Sequence, residues 1–195
     1  KQITEYKDKL GQVVMKRSSG DVDTYYVYND FGQLAYVLPP LAADALGSGT
    51  YSETTDAVKK YGYVYKYDER GNCKYKKLPG CEPIYMVYDK ADRLILSQDG
   101  NQRARIPTSQ WTVTKYDVFG RVLYTGTMPG DTNKDYATLL KNIVITEAYT
   151  GSGNTGYSEQ DYGVFTTITP LTVNYYDNYD FIEDEELNYV DMKED

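Results

Sequence analysis

The sequence predicts a mainly β protein whose successive antiparallel hairpins form one sheet, with one or two short helices in the insertions. A short Tyr-Asp-x-x-Gly pattern recurs along the chain, and Asp-x-x-Gly is a turn signal. The nearest copies lie 21 residues apart, and the 195-residue chain carries 23 Tyr against 4 Phe and one Trp. Tyrosine suits a half-buried sheet face. Because one hairpin cannot bury its own apolar face, we expect the copies to stack.

Six copies of the pattern define a repeat. The aligned Asp or Asn positions are 8, 29, 68, 89, 117 and 177, so the separations are 21, 39, 21, 28 and 60 residues. The natural unit is therefore the 21-residue spacing, and the longer gaps mark insertions. The clearest copies begin at Tyr67 and Tyr116, whereas the first copy lacks Tyr, the fourth has Asp92 in place of Gly, and the sixth, from Tyr176, is degenerate.

Each copy predicts a type I turn with Asp first and Gly fourth. Gly at that position adopts a positive φ and forms the G1 bulge of a three-residue hairpin loop. The turn Asp then lies opposite the residue after the Gly, which predicts Asp89–Arg93 and Asp117–Arg121 pairs. The structural residues of the motif are Asp8, Gly11, Tyr28, Asn29, Gly32, Tyr67, Asp68, Gly71, Tyr88, Asp89, Arg93, Tyr116, Asp117, Gly120 and Arg121.

The same register predicts the cross-strand neighbours in two layers. The first layer pairs Tyr28 with Leu34, Tyr67 with Cys73, Tyr88 with Leu94 and Tyr116 with Val122. The outer layer pairs Tyr26 with Tyr36, Tyr65 with Tyr75, Met86 with Leu96 and Thr114 with Tyr124. Both layers are expected on one face, because side chains alternate with period two. The opposite face carries apolar residues that need cover, namely Val27, Ala35, Val64, Val87 and Ile95.

We predict one structural unit with three parts. Residues 1–126 form the hairpin array, with an insertion at 39–60, and residues 127–170 form a second insertion with a helix and loops. Residues 171–195 hold the degenerate hairpin and an acidic tail. In the second insertion, apolar spacing predicts a helix from Asp135 to Ile143, with Asp135 as its cap. Residues Leu41 to Leu46 predict a short helical turn in the first insertion.

Composition excludes some classes of function. With 41% hydrophobic and 26% charged residues the chain is globular. Its net charge of −8 argues against nucleic acid and anionic membrane surfaces as partners. No apolar run reaches the ~18 residues that membrane insertion needs. The chain begins at Lys1, which we interpret as the start of a mature or excised segment. Cys73 and Cys81 flank a Pro-Gly turn and fit either a local disulfide or two free thiols.

The sequence predicts neither catalysis nor a cofactor. It has no His, which removes the commonest general base and most triads and zinc sites. Two carboxylates across a cleft can hydrolyse a glycoside, but turn capping and Arg pairing account for the repeated aspartates. Residues 131–135 imitate the start of an EF-hand loop without its Gly, and the acidic stretch at 183–186 fits a solvated tail. We therefore predict no metal site.

Carbohydrate binding is the main alternative function. Exposed tyrosines with Asp, Asn and Gln beside them suit a sugar-stacking surface, and the candidate ligand residues are Tyr26, Tyr36, Tyr65, Tyr75 and Trp111. Repetition of the tyrosines in register favours cross-strand packing over a sugar site. Protein contact is a further class, since open sheet edges pair with other strands.

The Tyr-Asp-x-x-Gly-Arg-Leu form of the repeat resembles the YD repeats of the Rhs family, which includes bacterial Rhs proteins, insecticidal toxin shells and animal teneurins. The resemblance covers residues 5–126 and, more weakly, 170–182. It implies a curved or spiralling sheet within a longer secreted or envelope protein, as a shell wall that contacts neighbouring repeats and a C-terminal toxin cargo. The Asp-Pro-x-Gly-Leu sequence of the family's shell-closing core is absent from this chain. The matching residues are structural, so the resemblance implies no catalytic residue.

Overall fold

The computed structural model describes residues 2–131 and 133–176. Within these ranges, eleven strands form one sheet in sequence order, and every neighbouring pair is antiparallel. The strands are β1 (Ile3–Lys7), β2 (Val13–Ser18), β3 (Val22–Tyr28), β4 (Leu34–Leu38), β5 (Tyr63–Tyr67), β6 (Cys73–Lys77), β7 (Ile84–Tyr88), β8 (Leu94–Gln98), β9 (Gln110–Tyr116), β10 (Val122–Pro129) and β11 (Thr169–Val173). The predicted mainly β fold of stacked hairpins is confirmed.

Four short helices lie between strands in the described residues, against one or two predicted. They are α1 (Pro40–Leu46), α2 (Asp56–Tyr61), α3 (Gly100–Arg103) and α4 (Tyr136–Leu140). Asp135 caps α4 as predicted, since its side chain accepts from the Thr138 amide, but the helix ends at Leu140 rather than Ile143. The prediction missed α2. It also missed α3, although Asp99 and Gln102 form a capping box that the sequence displays.

The first layer of cross-strand pairs is confirmed at all four predicted positions. The outer layer is wrong by one residue in every hairpin. Tyr36 lies opposite Val27 rather than Tyr26, and Tyr75 lies opposite Lys66 rather than Tyr65. Likewise Leu96 lies opposite Val87, not Met86, and Tyr124 lies opposite Lys115, not Thr114.

A β-bulge in each hairpin explains the shift. The outgoing strand carries one extra residue just after its first residue, and these extra residues are Val14, Ala35, Lys74, Ile95 and Leu123. A bulge places two residues against one and bends the strand. It also reverses the alternation beyond it, so the outgoing-strand members of the outer layer lie on the face opposite to their predicted partners. These members are Tyr36, Tyr75, Leu96 and Tyr124.

One face of the sheet, here called the covered face, packs against the insertions mainly in two clusters, and a third, smaller cluster joins Leu123 and Tyr124 of β10 to Tyr157. The first cluster joins Val64 and Leu38 of the sheet to Ala42 of α1 and Val58 of α2. The second joins Leu96 and Val113 to residues that follow β10, among them Leu140, Ile145, Val164 and Phe165. The predicted need for cover is confirmed, since Val64, Val87 and Ile95 are buried.

The opposite face, here called the tyrosine face, carries the first tyrosine of each motif. Tyr28, Tyr67, Tyr88 and Tyr116 lie there, each opposite the first residue of the outgoing strand. The sixth hairpin and the acidic tail were predicted at 171–195. Beyond Tyr176 they lie outside the described residues.

Candidate functional site

The five described turns share one hydrogen-bond geometry, built on the side chain of the turn Asp or Asn. In the third turn, Oδ1 of Asp68 accepts from the amides of Arg70 and Asn72 at 2.9 and 2.8 Å. Asp8, Asn29, Asp89 and Asp117 accept the equivalent pair of amides in their own turns. The predicted role of these residues as turn caps is confirmed.

The fourth residue of each turn has the predicted positive φ. Gly11, Gly32, Gly71 and Gly120 lie between +74° and +87°, and Asp92 adopts +58° in the one turn without Gly. A positive φ is strained for most L-residues, although Asp tolerates it better than others. Asp92 also has neighbours that hold it, because its Oδ1 accepts from Asn72 at 2.7 Å and pairs with Arg70 at 3.0 Å.

The two predicted Asp–Arg pairs form, and they differ in burial. Arg93 Nη2 lies 2.6 Å from Oδ2 of fully buried Asp89. Arg93 also donates to the carbonyls of Asp117 and Ile145 at 3.2 and 2.7 Å, and the Ile145 amide donates to Asp89. This pair therefore joins two turns to the second insertion.

The second pair, Arg121–Asp117, has an Nε to Oδ2 distance of 2.6 Å and is nearer the surface. Burial alone would raise the pKa of Asp117. The hydrogen bonds from the Arg121 side chain and from the turn backbone outweigh that effect and hold the pKa below its ordinary value.

A ladder of tyrosine hydroxyls ties each hairpin to the hairpin before it. Each motif tyrosine donates to the carbonyl of the first residue of the preceding outgoing strand. The four bonds run from Tyr28 to Val13 at 3.1 Å, from Tyr67 to Leu34 at 2.9 Å, from Tyr88 to Cys73 at 3.0 Å and from Tyr116 to Leu94 at 2.9 Å. A fifth follows the same rule, from Tyr176 to Val122 at 2.8 Å. We name these five bonds the tyrosine ladder.

Sequence reasoning placed these tyrosines correctly but missed their hydroxyl bonds. It assigned the rings to cross-strand packing, which Phe would serve as well. The signal that points to the ladder is the near-exclusive use of Tyr at this position, because a repeated hydroxyl on a half-buried ring needs a repeated acceptor. Tyr176 meets the rule even though its own copy of the motif is degenerate.

Polar side chains add a second set of links between turns. Gln12 donates to the Gly32 carbonyl at 3.0 Å, and Arg70 donates to the Asp89 carbonyl at 2.7 Å. Arg93 likewise donates to the Asp117 carbonyl. In three of the turns, a long side chain thus bonds to the backbone of the next turn. Because these bonds are to carbonyls, they stabilise turn stacking without a matching acidic residue.

The candidate ligand residues do not form one surface. Tyr36, Tyr75 and Trp111 lie on the covered face, where each makes an edge-to-face contact, with Tyr51, Tyr85 and Tyr136 respectively. Tyr26 and Tyr65 lie on the tyrosine face. The bulges at Ala35 and Lys74 place Tyr36 and Tyr75 on the covered face, and Trp111 lies there by regular alternation along β9. All five residues are half-buried.

One groove on the covered face keeps two of these residues together. It has a volume of about 580 Å³, lies between the two insertions and is lined by Tyr75 and Trp111 together with Tyr85 and Tyr136. Lys66, which also lines it, lies over the Tyr75 ring at 4.8 Å from its centre. The groove therefore combines aromatic rings with charged groups.

A buried ion pair in the second cluster was not predicted. Lys115 of β9 and Glu147 of the second insertion lie 2.6 Å apart, Nζ to Oε1, and both side chains are fully buried. Burial lowers the pKa of Lys115, against the raising influence of its hydrogen bond to Glu147. Lys115 carries no sequence signal of burial, since a lone Lys in an alternating strand is ordinarily solvent-facing.

The remaining residue-type predictions concern cysteines, metals and membranes. Cys73 is half-buried and Cys81 exposed, and both are free thiols. Within the described ranges, no cluster of three acidic, Cys or His side chains could hold a metal ion. Nor is any helix in those ranges long and apolar enough to cross a membrane.

Fold and turn geometry together define a repeat protein of stacked β-hairpins. No family model and no curated protein matches the chain. Among solved structures, the crystal structure of TcdB2-TccC3 is 19% identical with a TM-score of 0.47, over 78% of this chain. The same complex without its hypervariable C-terminal region gives 19% and 0.47 over 78%, and a mutant Tc holotoxin pore of Photorhabdus luminescens gives 18% and 0.46 over 67%. The chain spans only 6–7% of the length of these structures.

Proposed function

We propose that this chain is a non-enzymatic structural segment of a large Rhs-like protein, in which its hairpins form part of a β-sheet shell or wall. The tyrosine ladder is the observation that carries the proposal. The hydroxyl of every motif tyrosine donates a hydrogen bond to the hairpin before it. Each repeat therefore binds the preceding repeat through its hydroxyl and offers a carbonyl acceptor to the repeat that follows.

The first strand supports continuation of the sheet. All five residues of β1 are exposed, and its outer edge has no partner strand among the described residues. Exposed edges pair readily with further strands. The first motif copy lacks a tyrosine, so a preceding hairpin would join it without a bond of the tyrosine ladder.

In this proposal, the motif residues stabilise the turns and take no part in catalysis. The turn carboxylates accept backbone amides, and two of them also bind arginines. Carboxylates committed to such bonds are not free to exchange protons with a substrate, and for Asp117 these bonds also hold the pKa below its ordinary value. The resemblance to YD repeats extends the proposal to an extracellular or cell-envelope location, with neighbouring repeats and a toxin cargo as partners.

A structure of the longer protein that contains this chain tests the proposal. The expected result, by electron cryomicroscopy, is a continuous sheet in which the outer edge of β1 pairs antiparallel with another strand. A β1 edge open to solvent in the intact protein would contradict a wall function.

A second candidate function, carbohydrate binding, rests on the aromatic groove. A saccharide stacks on aromatic rings and accepts hydrogen bonds from nearby charged groups. A glycan array tests this directly, with Trp111→Ala and Tyr85→Ala as groove variants and Tyr65→Ala as the control on the other face. Binding lost only in the two groove variants would support a saccharide site. An array without hits, together with groove variants that lose stability alone, would rule it out.

A further inference from the structure

The buried Lys115–Glu147 pair is the most unusual chemical group in the described residues. It alone among their ion pairs has both side chains fully buried. Lys115 Nζ lies 3.6 Å from the centre of the Phe165 ring and 5.1 Å from that of Tyr162. An amine and a carboxylate are thus held in contact within an aromatic enclosure that excludes water.

The contacts around Glu147 separate its two carboxylate oxygens. Oε1 faces the Lys115 amine at 2.6 Å. Oε2 accepts from the Ser158 hydroxyl at 2.6 Å and from the Gln160 amide at 3.3 Å. The Gln160 carbonyl accepts from Lys115 Nζ at 3.0 Å and so fixes the amine in place. One oxygen therefore faces the nucleophile, while the other is surrounded by donors that stabilise negative charge, as in an oxyanion hole.

A second buried polar group lies against the pair. Tyr124 is directly opposite Lys115 in the β9–β10 register and is only 1% exposed. Its hydroxyl has no hydrogen-bond partner among the described residues, and burial followed by the charge of Glu147 raises its pKa. A buried hydroxyl without a partner is costly, so the ion pair leaves the polar groups of this cluster incompletely satisfied.

We infer that Lys115 and Glu147 condense into an intramolecular amide bond. A proton passes from the ammonium to Oε1, which gives a neutral amine and a carboxylic acid. The Nζ lone pair then attacks Cδ, and the negative charge develops on Oε2 between the Ser158 and Gln160 donors. Oε1 takes a second proton from the nitrogen and leaves as water. One C–N bond forms, one C–O bond breaks, and nothing is oxidised or reduced.

Both proximity and desolvation favour this step. Reacting groups held in contact need no encounter, and this removes the entropic part of the barrier of a bimolecular step. Two charges buried away from water are expensive, and a neutral amide removes both. The lowered pKa of Lys115 supports a neutral amine. The product clamps the second insertion to strand β9, whatever the protein's function.

Mass spectrometry of the folded wild-type protein tests the inference. The expected intact mass is one water below the sequence mass. After denaturation and tryptic digestion, cleavage after Lys115 is expected to be lost, and one cross-linked peptide pair should contain Lys115 and Glu147. Lys77 is the internal control, because its amine is also buried but contacts only carbonyls. Trypsin should cleave after Lys77 normally.

Two variants test whether the lost water comes from Lys115 and Glu147. Lys115→Met and Glu147→Met each remove one reacting group, and each should show its own full sequence mass. A water loss that persists in both would lie elsewhere, for instance at Asp99-Gly100, where a succinimide forms, and would overturn the inference. If either variant fails to fold, the wild-type digest decides alone. A folded wild-type protein with full mass and normal cleavage after Lys115 would also overturn it.

Discussion

The β1–β2 and β7–β8 hairpins have the same turn and opposite surroundings. Asp8 and Asp89 each accept two amides of their own turn at 2.8–3.0 Å. Asp8 is exposed and β1 is exposed throughout, whereas Asp89 is fully buried and three of the five residues of β8 are buried. A five-residue pattern thus determines the turn, while burial depends on whether an insertion packs over the hairpin.

This difference separates local from tertiary stabilisation in one molecule. The β1–β2 hairpin shows what the motif achieves alone, since none of the three clusters of buried residues includes a residue of β1 or β2. The C-terminal hairpins show the same motif with a core added. Substitutions at equivalent positions in the two regions should therefore lower the free energy of unfolding by different amounts, and the difference measures what the insertion contributes.

The largest difference is expected for Asp→Ala in the two turns. Asp89→Ala leaves the Arg93 charge and three backbone amides without their carboxylate acceptor, and breaking such a buried pair costs about 3–5 kcal/mol. Asp8→Ala removes an exposed cap of the same kind, at about 0.5–2 kcal/mol. Urea denaturation of the two variants measures both values. Equal losses would show that burial adds nothing to the turn.

A neighbouring pair in α4 isolates the contribution of the insertion. Leu140 is fully buried against the sheet, and Leu139 is 39% exposed. Leu140→Ala should cost about 2–5 kcal/mol, because it leaves a cavity. Leu139→Ala should cost well under half of that, since exposed side chains contribute little. Thermal unfolding followed by circular dichroism compares them. A similar cost for both would mean that α4 does not hold the second cluster together.

The sequence predicts what is local and misses what is tertiary. Asp68 and Gly71 specify their turn through contacts within five residues, so the motif alone is enough. The bulge at Ile95 was unpredictable from the turn pattern, because nothing in the residue type distinguishes it from a regular strand position. Its neighbour Leu96 shows the consequence, since both are fully buried in the same cluster although alternation predicts opposite faces.

The candidate sites show the same limit. The split of Tyr65 and Tyr75 between two faces follows from one inserted residue at Lys74. The Lys115–Glu147 contact joins residues 32 positions apart through an insertion whose path has no repeat. Only the fold brings such groups together. The tyrosine ladder could be predicted from the sequence, because its periodic tyrosines imply periodic hydrogen-bond acceptors.

Removal of single hydroxyls should sharpen the comparison at smaller cost. Tyr116→Phe breaks a 2.9 Å bond to the Leu94 carbonyl beside the second cluster, and Tyr28→Phe breaks a 3.1 Å bond to Val13 in the N-terminal hairpins. A net hydrogen bond contributes about 0.5–1.5 kcal/mol, and we expect the Tyr116 variant near the upper end and the Tyr28 variant near the lower. Calorimetry measures both. No loss in either variant would remove the ladder as a stacking device.

The smallest difference should appear in the dependence of stability on pH and salt. Asp117 and Asp23 both have pKa values below the ordinary carboxyl value. The pKa of Asp117 is lowered despite burial, because Arg121 and the turn backbone donate hydrogen bonds to its carboxylate. The pKa of Asp23 is lowered mainly by its hydrogen bond from Arg17. A lowered pKa in the folded state means stability that is complete above the unfolded pKa and is lost as pH falls through the folded pKa. Both Asp→Asn variants should therefore flatten the acid limb of a plot of urea midpoint against pH. The Arg17 side chain is 41% exposed, so salt should screen its pair with Asp23. Salt also weakens the Arg121–Asp117 pair, but Asp117 keeps the neutral turn amides of Phe119 and Arg121 as donors. High salt should thus abolish the effect of Asp23→Asn and preserve part of that of Asp117→Asn. If high salt abolished the effect of both variants alike, the arginine charges rather than the turn amides would account for the lowered pKa of Asp117.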